Sequence, residues 1–139
     1  MNFKGPGKLI MKDGSYFEGE FKEGEMAKGV KYDAKSGATL TGVFVDGQLQ
    51  GKGTIKVKNG IYEGELNADM KHGYGELRES IPNRCYKGQW YMNKRHGLGE
   101  QQYADGATYD GYFVHDKRQG HGAIKYSDSS YEVIFKTTI

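Results

Sequence analysis

The sequence predicts an all-β fold: an elongated single-layer antiparallel sheet of tandem β-hairpin repeats, about six of them, with residues 1–139 forming one array. Three observations predict it. A Tyr-x-Gly-like triplet recurs at Phe17-Glu18-Gly19, Leu40-Thr41-Gly42, Tyr62-Glu63-Gly64, Tyr86-Lys87-Gly88, Tyr109-Asp110-Gly111 and Tyr131-Glu132-Val133, so successive starts lie 23, 22, 24, 23 and 22 residues apart. A Gly-x-Gly triplet keeps the same beat at Gly5-Pro6-Gly7, Gly51-Lys52-Gly53, Gly73-Tyr74-Gly75, Gly97-Leu98-Gly99 and Gly120-His121-Gly122, and only Lys28-Gly29-Val30 departs from it. Between them the chain alternates. Tyr86-Lys87-Gly88-Gln89-Trp90 has the period of a strand with two unlike faces, Met92 to His96 reads as a polar connection, Gly97 to Tyr103 is a second extended run, and Asp105-Gly106 signals a hairpin turn. A period this short and regular marks a repeat architecture, in which each unit contacts mainly its neighbours.

Taken in order, residues 1–15 read as the second half of a repeat: Gly5-Pro6-Gly7, a strand over Lys8 to Lys12, and Asp13-Gly14 turning into Tyr16. The unit starting at 16 is the least regular. Gly24 is in place, but Lys28-Gly29-Val30 sets the glycine off by one, which predicts a bulge or altered turn near 25–30. The unit starting near 40 returns to register and ends in Asn59-Gly60. Those starting at 62 and 86 repeat the pattern most closely, although the stretch before Tyr86 replaces an Asp-Gly turn with a longer connection set by Pro82. The unit starting at 109 turns at Asp128-Ser129. In the last stretch the recurrent glycine has become Val133. Internal glycines at this position let aromatic rings lie close over the backbone. A final strand needs no such gap, so 131–136 reads as a terminal edge strand, which invites pairing with another chain.

The composite pattern Tyr-Glu-Gly-x-(Phe/Trp), then His-Gly-x-Gly, then Tyr-x-Asp-Gly is clearest over Tyr62 to Gly75 and Tyr86 to Gly106. It resembles the MORN motif (membrane occupation and recognition nexus), and the resemblance covers nearly the whole chain. MORN arrays are similar in role across junctophilins, ciliary spoke proteins and parasite scaffold proteins. The resemblance therefore implies an assembly platform. The family name implies a second role, at anionic membranes. Similar arrays also accompany lipid-kinase and lysine-methyltransferase domains, but nothing of either catalytic domain is present here.

Composition narrows the field. The chain has 22 glycines and only 36% hydrophobic residues, too few aliphatic side chains for a closed sandwich, while regular turn signals argue against disorder. With 20 basic and 18 acidic residues, bulk charge does not nominate nucleic acid. The single cysteine, Cys85, has no internal disulfide partner, which fits a reducing cytoplasm. No apolar run approaches the roughly 20 residues of a membrane span, so membrane association is expected to be peripheral.

Side-chain parity sorts the functional candidates. Tyr86, Gly88 and Trp90 share one face of their strand, as do Gly97, Gly99, Gln101 and Tyr103 of the next, and charged residues such as Glu63, Glu65, Lys52 and Glu100 take the other. One face is thus aromatic and glycine-rich. Its row of Tyr86, Trp90, Tyr109 and Phe113, with Tyr103, is the expected partner-binding groove for an extended or helical peptide. A second row comprises Lys71, Arg95 and Arg118, at one repeat position, with Lys94 and Lys117 one residue earlier. These residues are expected on the loops between paired strands, stacked along one edge. They form the alternative site, for acidic groups of a protein or for anionic phospholipid headgroups.

Catalysis is not expected. His72, His96 and His121 lie one repeat apart, too far to converge on one metal ion. The Gly-x-Gly pairs lack the helix that a dinucleotide site needs, and no Ser/His/Asp or Cys/His set stands out. No catalytic residue, metal or cofactor is read. The expected function is a non-catalytic interaction scaffold, cytoplasmic or at a cytoskeletal or membrane-associated structure, with a protein or peptide partner and self-association through the terminal strand. The alternative is a peripheral membrane module.

Overall fold

The computed structural model of the chain describes residues 4–126 and 129–135. It is all-β, an open single layer of antiparallel hairpins, as the repeat pattern predicts. The chain divides into two compact units, 1–70 and 71–139. In the first, β1 (Gly5–Ile10), β2 (Tyr16–Lys22), β3 (Glu25–Tyr32), β4 (Thr39–Val45), β5 (Gln48–Val57) and β6 (Gly60–Asn67) lie side by side in chain order. In the second, β7 (Met70–Glu79), β8 (Cys85–Tyr91), β9 (Lys94–Gln102), β10 (Thr108–Val114), β11 (Lys117–Lys125) and β12 (Ser130–Phe135) do the same. Asp128 of the expected Asp128-Ser129 turn and Lys136 of the expected last strand lie outside the described residues.

Register explains the repeated triplets. In the first unit Gly7, Gly19, Gly29, Gly42, Gly53 and Gly64 stand opposite one another on successive strands. In the second the row is Gly75, Gly88, Gly99, Gly111 and Gly122, and it ends on Val133. A ring lies on the row. A Cβ at Gly99 would land on the Tyr86 ring and hydroxyl, and one at Gly122 on the Tyr109 ring. The hydroxyls finish the arrangement: Tyr62, Tyr86 and Tyr109 donate to the carbonyls of Glu65, Gln89 and Tyr112 at 2.7, 2.8 and 3.0 Å. Gln89 and Tyr112 sit where the strand registers shift, so the phenols satisfy carbonyls that the ladder leaves behind.

Rings covering glycines give a single layer its core. Phe17, Phe44, Leu49 and Tyr62 are buried in the first unit, and Tyr86, Trp90, Tyr109 and Phe113 in the second. The rings meet edge to face: Tyr86 with Trp90 at 4.9 Å and with Phe113 at 5.3 Å, and Tyr109 with Phe113 at 5.2 Å. Such pairs contribute about 0.5–1.5 kcal/mol beyond the area they bury.

Two sequence expectations need correction. Gly29 is not offset; it stands in the glycine row, and Ala27 occupies the place of the first glycine. Elsewhere that first glycine has positive φ (Gly51 +80°, Gly97 +98°, Gly120 +68°) and belongs to a two-residue excess at the register shift. Ala27 does not take that backbone conformation, and the bulge between β2 and β3 shrinks to one extra residue. The expected bulge near 25–30 is present, but it is a shortened form of a feature that the other repeats share.

The second correction concerns the turns. Glu23-Gly24, Asp46-Gly47, Ala68-Asp69, Met92-Asn93 and His115-Asp116 all have positive φ at both residues, from 47° to 80°. This is the two-residue turn whose twist matches that of the flanking strands. The connection after Tyr91 is therefore Met92-Asn93 alone, not Met92 to His96, and β9 starts at Lys94.

Candidate functional site

Starting the strand at Lys94 moves the basic residues. Lys71, Arg95 and Arg118 do not sit on loop tips; they are strand residues of β7, β9 and β11. Arg95 pairs directly with Trp90, and Arg118 with Phe113. Directly opposed residues share a face, so these cations lie on the aromatic side. The Lys71 ammonium is 5.3 Å from the Trp90 ring, and the Arg95 guanidinium is 4.8 Å from Phe113 and 5.9 Å from Tyr86. Arg118 lies 4.8 Å from Phe135, 5.7 Å from Tyr109 and 5.9 Å from Tyr103. Lys94, one residue before Arg95, is exposed.

The result is one groove in the second unit where the sequence suggested two separate rows. Its volume is about 630 Å³, and its walls include Tyr86, Trp90, Tyr103 and Phe113 together with Lys71, Arg95, Lys117 and Arg118. Tyr109 lies under Arg118 and Lys94 is not a wall residue. Four of the five aromatic candidates (Tyr86, Trp90, Tyr109 and Phe113) are 5% exposed or less, and only Tyr103 is partly open. The rings are thus the floor of the groove, and cations cover them. Counting charged walls, Lys71, Arg84, Arg95, Lys117 and Arg118 stand against Glu79 and Asp116; five less two leaves an excess of three positive charges.

Seven wall residues were not among the sequence candidates, and three of them hold the arginines in place. Asp116 binds Arg95 closely: its Oδ1 accepts from the Arg95 backbone N–H at 2.8 Å and from Nε at 3.2 Å, and its carbonyl accepts from Nη2 at 2.7 Å. Gln101 completes the set, with Oε1 accepting from Arg95 Nη1 at 2.8 Å while its amide donates to the carbonyls of Cys85 and Gln102. Phe135 carries Arg118. Lining up the repeats could have found the first two. The position of Arg95 reads Met26, Leu49, Lys71, Arg95, Arg118, apolar in the first unit and cationic in the second. Gln101 stands where other repeats have Ile55, Leu77 and Ile124.

Asp116 also belongs to a series. In three of the five turns the second residue reaches back to the preceding repeat: the side chains of Asp69, Asn93 and Asp116 accept from the N–H groups of Leu49, Lys71 and Arg95 at 2.7, 2.9 and 2.8 Å. Their own N–H groups donate to the carbonyls of the same three residues at 3.1, 2.9 and 3.0 Å. An acceptor that tolerates positive φ is what the position demands, and Asp and Asn supply both.

Burial tunes the ionisable groups. It pushes the Tyr86 phenol up to about 12 and raises that of Tyr109, while the cations Arg95 and Arg118 oppose the shift. Burial also lowers the Lys71 pKa, against the pull of Asp116. Cys85 is raised by burial and by Glu76, whose carboxylate accepts from its thiol at 3.7 Å. This keeps the sulfur protonated, the reverse of nucleophile activation. On another part of the surface His72, Tyr91, His96 and His115 form a row with centroids 5.2–5.7 Å apart. Among the described residues no group of three or more His, Cys, Asp or Glu side chains is placed to hold a metal ion. No helix among them is long and apolar enough to cross a membrane.

Comparison with known proteins agrees with the repeat architecture. The MORN repeat family profile matches residues 17–37, 41–60, 62–78, 86–108 and 109–131. Over 95 residues the chain is 35% identical to Alsin from Rattus norvegicus, and equally to Alsin from Mus musculus and Homo sapiens. That alignment covers 63% of this chain and 6% of each Alsin, so the match is to a small part of a much longer protein.

Proposed function

The chain belongs to the MORN-repeat family, and from that premise we propose that it is a non-catalytic interaction module whose second unit receives an extended, acidic segment of a partner protein. MORN repeats occur in protein-interaction and membrane-associated roles, and the family is generally a non-catalytic repeat module. One observation carries the reading: a groove of about 630 Å³ has a floor of buried rings and an excess of three cations on its walls. An aromatic floor suits a peptide's side chains, and an excess of positive charge favours an acidic one. Because the rings are buried, truncating them would damage the fold. The residues that touch the partner are Tyr103, Lys71, Lys117 and Arg118, with Tyr86, Trp90, Tyr109 and Phe113 shaping the surface beneath.

The alternative, a peripheral module using Lys71, Lys94, Arg95, Lys117 and Arg118 on anionic phospholipid, draws on the same charge excess. It is second because Arg95 is already occupied by Asp116 and Gln101, and because a flat bilayer reaches a groove floor poorly. Self-association along β12 and a cytoplasmic, cytoskeletal or membrane-contact location remain expectations of the same reading. Affinity capture with the wild type beside Lys117→Glu and Arg118→Glu tests the proposal. A partner retained by the wild type and lost from both variants, at unchanged thermal melting, supports it. Equal retention refutes it. Recruitment to phosphoinositide vesicles that is released on doubling the salt would give the groove to lipid.

A further inference from the structure

The face turned away from the rings differs between the two units. Side chains alternate along a strand, so the residue before each row glycine on one strand, and the residue after it on the next, point away from the rings and pair with each other. In the first unit these pairs include Glu20 with Lys28 and Lys52 with Glu65, opposite charges directly across the ladder. In the second unit the equivalent pairs are Tyr74 with Gln89, Leu98 with Tyr112 and His121 with Ile134. Tyr74, Leu98, Tyr112 and Ile134 are 54%, 55%, 49% and 62% exposed.

Two residues along the strands, a parallel row on the same face runs Glu76, Lys87, Glu100, Asp110, Ala123 and Glu132, each directly opposite the next. Glu76 lies 3.6 Å from Arg78 and accepts from the Cys85 thiol, and Glu132 lies 4.0 Å from the His121 imidazole. Glu100 and Asp110, both exposed, stand opposite one another, and among the described residues neither makes an ion pair. Like charges so placed oppose folding. Beside them is a hollow of about 520 Å³ whose walls include Leu98, Tyr112 and Ala123 with Asp110, His121 and Glu132, and no Lys or Arg.

We propose that this outer face of the second unit docks a basic amphipathic helix of a partner protein. The helix lies across the strands, with its apolar stripe on Leu98 and Tyr112 and its Lys or Arg side chains over Glu100 and Asp110. The spacings agree. Neighbouring strands are about 4.8 Å apart, close to the roughly 5–6 Å between i and i+4 side chains on a helix. The apolar and acidic rows are about 7 Å apart along the strands, within the roughly 10 Å diameter of a helix. Burial of the exposed pair supplies the attraction, and the acidic pair sets the sign of the partner, because a cation relieves the repulsion between Glu100 and Asp110. The ring-side groove has walls of the opposite charge, so the two surfaces select different partners and the inference is independent of that groove.

The probe is a labelled synthetic peptide of about fourteen residues with leucines at helical spacing and lysines beside them. One counterpart alternates the same leucines and lysines at the period of a strand, and another replaces lysine with glutamate. In fluorescence anisotropy titrations with the full chain, the helical lysine peptide should bind about tenfold tighter than either. Leu98→Ser, Tyr112→Ser and the double variant Glu100→Gln/Asp110→Asn should each weaken it about tenfold. Removing two acids from the same face of the first unit, Glu18→Gln/Glu20→Gln, should leave it unchanged. Trp90 fluorescence and a urea midpoint that holds or rises in Glu100→Gln/Asp110→Asn separate lost binding from lost folding. Equal binding of the three peptides, tighter binding of the alternating one, binding that survives the Leu98 and Tyr112 variants, or no binding at all overturns the proposal. Self-association of the wild type that Leu98→Ser abolishes would give the face to a second copy and also overturn it. None of these outcomes bears on the ring-side groove.

Discussion

Gly99→Ala should be among the most damaging single-methyl additions the second unit can suffer. Gly99 has no left-handed φ, so alanine meets no backbone strain there. The whole cost comes from the new Cβ, whose three nearest neighbours are the hydroxyl and two ring carbons of Tyr86. That ring is 2% exposed, meets Trp90 and Phe113 edge to face, and hydrogen-bonds the Gln89 carbonyl. It has no way to tilt aside without breaking those contacts. Displacing it forfeits most of what its burial provides, about 3–5 kcal/mol by analogy with large aromatic truncations, and strands a carbonyl. Urea unfolding followed by Trp90, the only tryptophan and 5% exposed, reports directly on this unit. A double-mutant cycle makes the test specific: once Tyr86→Ala has removed the ring, adding Gly99→Ala should cost about 1 kcal/mol or less. A loss below about 1 kcal/mol for Gly99→Ala alone, or additivity with Tyr86→Ala, would refute the claim that the glycine row exists to seat the rings.

Other outcomes follow from the same geometry. Met92→Gly should stabilise the chain by about 1 kcal/mol, because Met92 holds φ of +48° at the first turn position where glycine carries no steric penalty; an unchanged urea midpoint would count against it. Asp116→Ala should cost about 1–3 kcal/mol, since it uncaps the Arg95 N–H and guanidinium together, whereas Asp116→Asn should cost less, Asn93 making the same cap one repeat earlier. Alkaline titration should show the buried phenols. The Tyr86 pKa rises from 10.0 to about 12 on folding, so the unfolded chain loses its proton first as pH climbs. The stabilisation is complete below pH 10 and disappears through pH 12, on the order of 2 kcal/mol for this group. Tyr62 and Tyr109, also raised, steepen the fall. Phenolate absorbance rising without loss of the Trp90 signal would contradict that link.

What the sequence alone determined is everything that depends on period and parity. A triplet recurring every 22 to 24 residues and alternation within strands are local properties of the chain, and they suffice to specify hairpins in series and a row of rings seated on glycine. The replacement at Val133 was legible for the same reason, since it breaks a pattern that sequence alone displays. Turn length was not. Alanine and methionine have no preference for positive φ, so Ala68 and Met92 do not announce two-residue turns; the pairing of the strands on either side imposes that conformation on them.

That difference of a few residues decided where the chemistry lies. With a longer connection Lys71, Arg95 and Arg118 would project from loops into water. With the short one they enter strands opposite aromatic rings, and the basic row becomes part of the aromatic groove. Side-chain direction in a sheet reverses with each residue of register, so only the folded pairing could say which face the cations share, and with it that Asp116 already holds one of them.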